Sequence, residues 1–186
     1  MITFRTEKRT RSRNRRVAAM WIVNVTAMVL LAWALVVSLG ETVSVTGRSM
    51  EPTLQNGMTV LTDKAIYRLR APARFDVIAF TGKDEGTGVS VKRIVGLPGE
   101  MVHITGGDVY INGKKLTMPH ETTRCAVAGI AQEPILLGED EYFVLGDWPE
   151  VSEDSRFSTV GCVPRGNIVG KIWFAVAPLL SVGPVR

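Results

Sequence analysis

The feature that most constrains the fold is an uncharged run of 24 residues, Val17 to Gly40. A helix over residues 17–39 would be about 35 Å long, against about 30 Å of bilayer hydrocarbon. Residues 1–16 carry seven basic side chains and one acidic side chain, Glu7. Positive charge beside a first apolar helix holds that end in the cytoplasm. We therefore predict a basic cytoplasmic tail over 1–16, a single-pass membrane anchor over 17–40 and an extracytoplasmic domain over 41–186.

Two other interpretations of this N-terminal region are less favoured. A cleaved signal peptide would fit the small-x-small ending Ser38-Leu39-Gly40, but the apolar run exceeds the usual 7–15 residues of such a leader. The basic tail could also bind nucleic acid. Its local charge of +6 leaves −2 for the rest of a chain whose net charge is +4, so the basic character is confined to the tail. A basic tail directly beside an apolar run is explained more simply by membrane orientation. We therefore predict a lipid bilayer and not nucleic acid as its partner.

The sequence after residue 40 is typical of a mainly β domain. Apolar residues alternate with period two or form short β-branched runs between turn residues, which favours an antiparallel barrel or sandwich. The predicted strands are Thr42–Val45, Asp76–Phe80, Val89–Val95, Val102–Ile104, Val109–Ile111, Tyr142–Leu145 and Ile168–Phe174. Asn112-Gly113 predicts a hairpin turn. A short helix is expected only within Met58–Leu69, and residues 117–140 are expected to form a variable loop or small β-insertion.

The cysteines and histidines give no sign of a metal site. Cys125 and Cys162 lie 37 residues apart without a Cys-x-x-Cys motif, and no histidine cluster lies near them. A disulfide and two isolated thiols are both compatible with this spacing. No metal or nucleotide cofactor is predicted.

A serine close to the predicted anchor is a candidate nucleophile. Ser49 lies in the extended, proline-containing stretch Gly47–Leu54, and a serine hydroxyl needs an adjacent base. His103 lies within a predicted strand, and nothing around His120 marks a triad. Lys92 lies in a β-forming run, where burial could lower its pKa from about 10.4 to about 7–8. Each pKa unit corresponds to about 1.36 kcal/mol by which burial destabilises the charged form. The pattern alone leaves open whether Lys92 is such a base or a surface lysine.

Several segments in order resemble those of the type I signal peptidases. Ser49–Leu54 is similar to the serine segment of that family, Lys92–Glu100 to the lysine segment, and Gly146–Arg156 to the Gly-Asp-Asn…Ser-x-Asp-Ser-Arg segment. The resemblance covers roughly residues 20–174, and further similar segments are Arg74–Ile78, Val109–Gly113 and Ile168–Lys171. The short length is most like the compact Gram-positive type.

The resemblance implies roles for individual residues. Ser49 would attack the scissile carbonyl, and Lys92 would act as general base and then as acid. Ser152 would orient the lysine. Asp154 and Arg156 would form a structural ion pair. The Ser49 amide would supply part of the oxyanion hole.

Two positions depart from the pattern of the family or leave it open. Gly47 stands where some relatives have a serine that completes the oxyanion hole, so the second donor stays undetermined. Trp148 stands where the family has Asn. It would either pack on the domain or lie in the outer leaflet.

The resemblance also implies how a substrate binds. Val43 and Val45 would lie on a strand that pairs with an extended substrate, with pockets for the small side chains of an Ala-x-Ala site. Met50, Leu54 and Val91 would either line these pockets or belong to the core.

The expected function is that of a membrane-anchored serine endopeptidase, with signal peptides of exported preproteins as substrates and the general secretory route as context. Two alternatives are a specialised maturase for one pilus, conjugation or secreted substrate, and a catalytically inactive anchored binding domain. The sequence does not fix the oligomeric state.

Overall fold

The computed structural model describes residues 17–31, 40–82, 88–120, 123–177 and 182–185. The chain divides into two compact units, Met1–Leu39 and Gly40–Arg186. The second unit begins at Gly40, and the domain predicted from the sequence was expected to begin at residue 41.

In the first unit, residues 17–31 form helix α1, and their side chains are exposed. The predicted tail over 1–16 and residues 32–39 of the predicted anchor lie outside the described residues. Among the helices that the structure describes, none combines the length and the apolar character needed to cross a membrane.

The second unit is built from two antiparallel sheets. The first has the order β1-β2-β11-β3-β4-β9-β10, with β12 beside β11, and the second has the order β7-β6-β5-β8. The strands are β1 Gly40–Ser44, β2 Thr59–Asp63, β3 Val77–Thr81, β4 Val89–Gly96, β5 Met101–Thr105, β6 Asp108–Ile111, β7 Lys114–Lys115, β8 Ile135–Leu136, β9 Glu141–Leu145, β10 Val163–Pro164, β11 Ile168–Ala177 and β12 Gly183–Pro184. The prediction of a mainly antiparallel β domain is confirmed.

Short helical turns connect some of these strands. Helix α2 spans Ile66–Leu69, and 3-10 turns span Gly129–Gln132, Pro149–Val151 and Arg165–Asn167. The predicted insertion over 117–140 contains the first of these turns and the two-residue β8, while residues 121–122 lie outside the described part.

The turn chemistry of the second sheet explains its register. Asn112 and Gly113 join β6 to β7 with φ of 52° and 77°. Positive φ at both central residues is what a two-residue hairpin turn of type I′ requires. The hairpin predicted at Asn112-Gly113 is therefore confirmed.

The short helix expected within Met58–Leu69 is confirmed, and it occupies only the end of that range. Only Ile66–Leu69 is helical, and Thr59–Asp63 forms β2. Val60 and Thr62 are fully buried between half-buried neighbours, so this segment follows the two-residue period of a strand.

Strands β3 and β4 are buried on both faces. Val77 and Ala79 of β3 face one apolar cluster, whereas Ile78 and Phe80 face another. The last six residues of β4 are all buried. Because β4 lies in the interior, polar side chains on either of its faces must find partners inside the protein.

Candidate active site

The loop between β1 and β2 carries Ser49 and is fixed at both ends. Val45 donates its N–H to the Met58 carbonyl at 2.8 Å, and Gly57 donates to the Val45 carbonyl at 2.8 Å. Within the loop, Met50 and Leu54 are 1% and 0% exposed and pack in the apolar cluster beneath it. Burial of these two side chains leaves the half-buried Ser49 at the surface of a rigid loop.

The structure brings Lys92 to Ser49. The Lys92 Nζ donates to the Ser49 Oγ at 2.9 Å. Lys92 is only 7% exposed, and its position is set by the pairing of β4 with β3, where it lies opposite Ile78. Burial lowers the pKa of the Lys92 ammonium, while Asp154 and Glu153 partly oppose this change. A lysine that loses its proton readily, at hydrogen-bond distance from a serine hydroxyl, can act as a general base.

Asp154 and Arg156 organise the segment after β9 as a buried ion pair. Arg156 Nε donates to Asp154 Oδ1 at 2.8 Å, Arg156 Nη2 donates to Oδ2 at 3.0 Å, and both side chains are at most 1% exposed. Arg156 also donates to the carbonyls of Pro149 and Ser152, and Asp154 accepts the Gly146 N–H at 3.1 Å. The pair therefore fixes the backbone from 146 to 156.

Ser152 lies beside this site, but its hydroxyl is not bonded to Lys92. Its side chain is 5% exposed, and among the described residues its Oγ has no hydrogen-bond partner. The hydrogen bond to the lysine that the resemblance implies is therefore not formed in this structure.

Gly146 allows the segment after β9 to approach the nucleophile loop. A Cβ at Gly146 would lie 2.5 Å from the Ser49 carbonyl oxygen, 2.6 Å from the Ser152 Cβ and closer still to the Ser152 Oγ. Two residues further along the same segment, the Trp148 N–H donates a hydrogen bond to the Ser49 carbonyl at 3.0 Å. The contact between Ser49 and this segment thus depends on the absence of a side chain at 146.

A second buried network, which was not predicted from the sequence, lies on the opposite face of β4. Arg93 donates to both Asp147 oxygens at 2.7 and 2.6 Å, with each side chain 1% exposed. Thr53 donates to Asp147 and accepts from Arg93, and Arg93 also donates to the Phe75 carbonyl at 3.0 Å. Arg93 and Asp147 are 54 residues apart, so no local pattern pairs them.

Neither histidine replaces Lys92. His120 lies 2.9 Å from the Thr53 Oγ1, and His103 lies 3.1 Å from the Gln132 carbonyl. Among the described hydrogen bonds, neither ring contacts Ser49. This arrangement agrees with the choice of a lysine as the candidate base.

A cleft of about 340 Å³ opens beside Ser49 and Lys92, and we call it the Ser49–Lys92 cleft. Its walls come from the end of β1, the nucleophile loop and the start of β4: Ser44, Val45, Thr46, Ser49, Met50, Gly88, Val89, Ser90, Val91 and Lys92. Of the five predicted substrate-binding residues, Val45, Met50 and Val91 line it. Val43 and Leu54 instead pack in the apolar cluster beneath the loop.

The backbone amide of Gly47 is bonded within the nucleophile loop. Gly47 has φ of 92° and donates its N–H to Asn56 Oδ1 at 2.9 Å, so this amide is engaged within the loop. Cys125 is a buried free thiol and so forms no disulfide with Cys162, and burial raises the pKa of Cys125 to about 11. Among the described residues, no group of His, Cys, Asp and Glu is arranged to hold a metal ion.

Comparison with known proteins places the chain in a family. The sequence model described as signal peptidase, peptidase S26, matches residues 18–177. A probable signal peptidase I-2 from Synechocystis sp. is 35% identical over 160 residues, which are 83% of this chain and 71% of that protein. Signal peptidase I from Bacillus licheniformis is 32% identical over 169 residues, 87% of this chain and 90% of that protein.

A solved structure is also similar to part of this chain. The crystal structure of a signal peptidase I from Enterococcus faecalis V583 is 30% identical and covers 55% of this chain and 97% of that chain, with a TM-score of 0.43. The family assignment rests on the sequence matches, which confirm the resemblance noted from the motifs. The chain belongs to the signal peptidase family, peptidase S26.

Proposed function

We propose that Ser49 and Lys92 form the catalytic dyad with which this chain removes N-terminal signal peptides from exported preproteins. Family membership makes the chain a serine endopeptidase of the signal peptidase I type. The observation that carries the assignment of the dyad is the 2.9 Å hydrogen bond between Lys92 Nζ and Ser49 Oγ, formed by a lysine that is 7% exposed.

The first half of the proposed reaction forms an acyl-enzyme. Neutral Lys92 takes the proton of the Ser49 hydroxyl as Oγ attacks the scissile carbonyl. The Ser49 N–H, which has no acceptor among the described residues, donates to the developing oxyanion. When the C–N bond breaks, the Lys92 ammonium returns its proton to the leaving amine.

The second half regenerates the enzyme. Lys92, neutral again, takes a proton from a water molecule that attacks the ester carbonyl. Collapse of this second tetrahedral intermediate breaks the bond between the carbonyl carbon and the Ser49 Oγ, and Lys92 protonates Oγ. Because one group serves as base and acid in turn, its pKa must lie close to the working pH. The burial of Lys92 supports this requirement, since it lowers the pKa of the ammonium.

The Ser49–Lys92 cleft is the proposed binding site for the residues before the cleaved bond. Its walls combine the end of β1 with the start of β4, and Val45, Met50 and Val91 supply apolar surface. An extended peptide can pair with a strand edge while alternate side chains enter pockets. The resemblance to the family implies small side chains one and three residues before the cleaved bond, and this cleft of about 340 Å³ is where they would lie.

The support for membrane attachment comes from the sequence. We propose that residues 17–40 anchor the chain in the cytoplasmic membrane with residues 1–16 inside. Residues 41–186 would then face outward, where preproteins leave the general secretory route. The uncharged run and the seven basic residues before it support this orientation.

Substitution of the dyad tests the proposal. Ser49→Ala and Lys92→Ala are each expected to abolish cleavage of a preprotein panel with Ala-x-Ala sites by purified enzyme in lipid. Lys92→Arg should also be inactive, because a guanidinium does not give up its proton. His103→Ala is the matched control and should retain activity. Normal cleavage by folded Ser49→Ala protein would refute the assignment.

A further inference from the structure

A second open pocket lies beside the nucleophile loop and shares no wall residue with the Ser49–Lys92 cleft. We call it the Trp148 pocket, and its walls are Glu51, Pro52, Gln55, Asn56 and Trp148. Its volume is about 490 Å³, which falls within the range of about 300–1,000 Å³ found for ligand sites. Space for one large side chain is therefore available.

Trp148 connects this pocket to the nucleophile in two ways. Its backbone N–H donates to the Ser49 carbonyl at 3.0 Å. Its indole ring stacks against the guanidinium of Arg48, with 4.4 Å between Arg48 Cζ and the ring centroid. Since Arg48 directly precedes Ser49, the ring that lines the pocket is held next to the reacting residue.

The charged wall residue of this pocket, Glu51, is paired with Arg48. Arg48 Nε and Nη2 lie 3.2 and 3.1 Å from the two Glu51 carboxylate oxygens. The remaining surface is the indole of Trp148, the ring of Pro52 and the neutral amides of Gln55 and Asn56. Such a wall favours an apolar or aromatic side chain. A charged side chain would lose its hydration on entering the pocket, and Glu51 is already paired and could not compensate for that loss.

The order of the two openings along the nucleophile loop indicates which part of a substrate meets the Trp148 pocket. The Ser49–Lys92 cleft includes Ser49 and Met50, and the Trp148 pocket begins at Glu51. If the acyl side of the substrate fills the cleft, the chain after the cleaved bond continues past Ser49. Two extended residues cover about 7 Å, enough to reach a wall that touches Arg48 and the Ser49 carbonyl.

We propose that the Trp148 pocket binds the side chain of the first or second residue after the cleaved bond, and that Trp148 makes it selective for large apolar side chains. The inference rests on the proposed function and extends it from the signal peptide to the start of the released chain. Trp148 is then a residue that determines specificity, acting on the leaving side of the reaction.

Matched peptides test this selectivity. Substrates are made with one Ala-x-Ala site and with Ala, Phe or Asp at the first or second position after it. The wild-type enzyme is expected to show kcat/KM at least about tenfold higher for Phe than for Ala at one of these positions, since an apolar pocket gives about 10–200-fold for a single methylene group. Asp should be no better than Ala. Trp148→Ala should bring the ratio of Phe to Ala close to one, while its backbone N–H remains.

The control is Trp173→Ala, since Trp173 is a half-exposed tryptophan that packs on Phe174. It should leave the ratio unchanged. Trp148→Asn supplies a second variant with the same expectation as Trp148→Ala, in case the smaller side chain impairs folding. An equal kcat/KM for Phe and Ala in the wild-type enzyme at both positions would overturn the inference, as would an unchanged ratio in both folded Trp148 variants. Those outcomes leave Ser49-dependent cleavage intact, whereas failure to cleave every peptide would overturn the proposed function as well.

Discussion

Gly146 offers a direct test of whether the backbone contact between the nucleophile loop and the segment after β9 matters for catalysis. Replacing Gly146 with alanine adds a single Cβ at the point where Ser49 and Ser152 meet. That atom would lie 2.5 Å from the Ser49 carbonyl oxygen and 2.6 Å from the Ser152 Cβ. Optimal contacts are about 3.5 Å, so one of the two segments must move by about 1 Å.

The size of the effect follows from this displacement. Overpacking of a closely packed site typically destabilises a protein by about 1–3 kcal/mol. A shift of about 1 Å in a catalytic group can lower the rate by about 100-fold. We therefore expect Gly146→Ala to lose about 100-fold in kcat/KM on a short Ala-x-Ala peptide, with a decrease in Tm.

Gly166→Ala is the matched control for this experiment. A Cβ at Gly166 would have no heavy atom within 4 Å, and its φ lies outside the left-handed region. Its stability should change by no more than about 1 kcal/mol, in the stabilising direction, and its kcat/KM should equal that of the wild type. Wild-type kcat/KM and Tm in Gly146→Ala would show that the approach of the two segments is not needed.

Three further predictions concern the charged groups. Glu153→Gln should move the acid limb of kcat/KM to lower pH, because the carboxylate favours the protonated form of Lys92 and its removal lowers the Lys92 pKa further. Glu133→Gln is the control and should leave the pH profile unchanged. An upward shift of the acid limb in Glu153→Gln would contradict this prediction. Asp76→Asn should lower the free energy of unfolding by about 1.5–3 kcal/mol in urea titrations at pH 7, since Asp76 accepts from Lys171 at 2.6 Å and lies 2.9 Å from Arg70, and both of these partners are partly exposed. These partners hold the pKa of Asp76 below its usual range despite burial, so its contribution should be complete above about pH 4 and fall as the pH passes through the folded-state value; a stability difference between wild type and Asp76→Asn that did not decrease in acid would refute this. Lys92→Met should abolish activity while keeping or raising Tm at pH 7, because it replaces a buried ammonium with an apolar side chain of similar shape; a large fall in Tm would mean that Lys92 stabilises the fold.

Turns and strands that depend on residues adjacent along the chain could be predicted from the sequence. The hairpin at Asn112-Gly113 follows from two residues that tolerate positive φ, and β4 follows from a β-branched run. The short helix within Met58–Leu69 was located, but the strand over Thr59–Asp63 was not predicted, because its burial depends on pairing with the distant β11. Nothing local indicates that β11 lies between β2 and β3.

In the candidate active site too, features set by neighbouring residues could be predicted and features set by distant segments could not. The choice of Lys92 came from resemblance, because the alternation in β4 could not show which face is buried, and in the structure both faces are. Arg93 and Asp147 escaped notice because their pairing joins segments 54 residues apart. The Trp148 pocket could not be foreseen, since its walls join residues 51–56 of the nucleophile loop to Trp148, which no local pattern brings together.

The adjacency of Lys92 and Arg93 limits how this chain can change its length. Consecutive side chains of a strand leave on opposite faces, so Lys92 reaches Ser49 while Arg93 reaches Asp147. Inserting or deleting one residue that shifts β4 against β3 would exchange the two faces. The reaction would lose its base, and the interior would hold an aspartate without its guanidinium. Insertions and deletions within residues 89–93 should therefore be excluded for two independent reasons, the loss of the base and the loss of the buried ion pair.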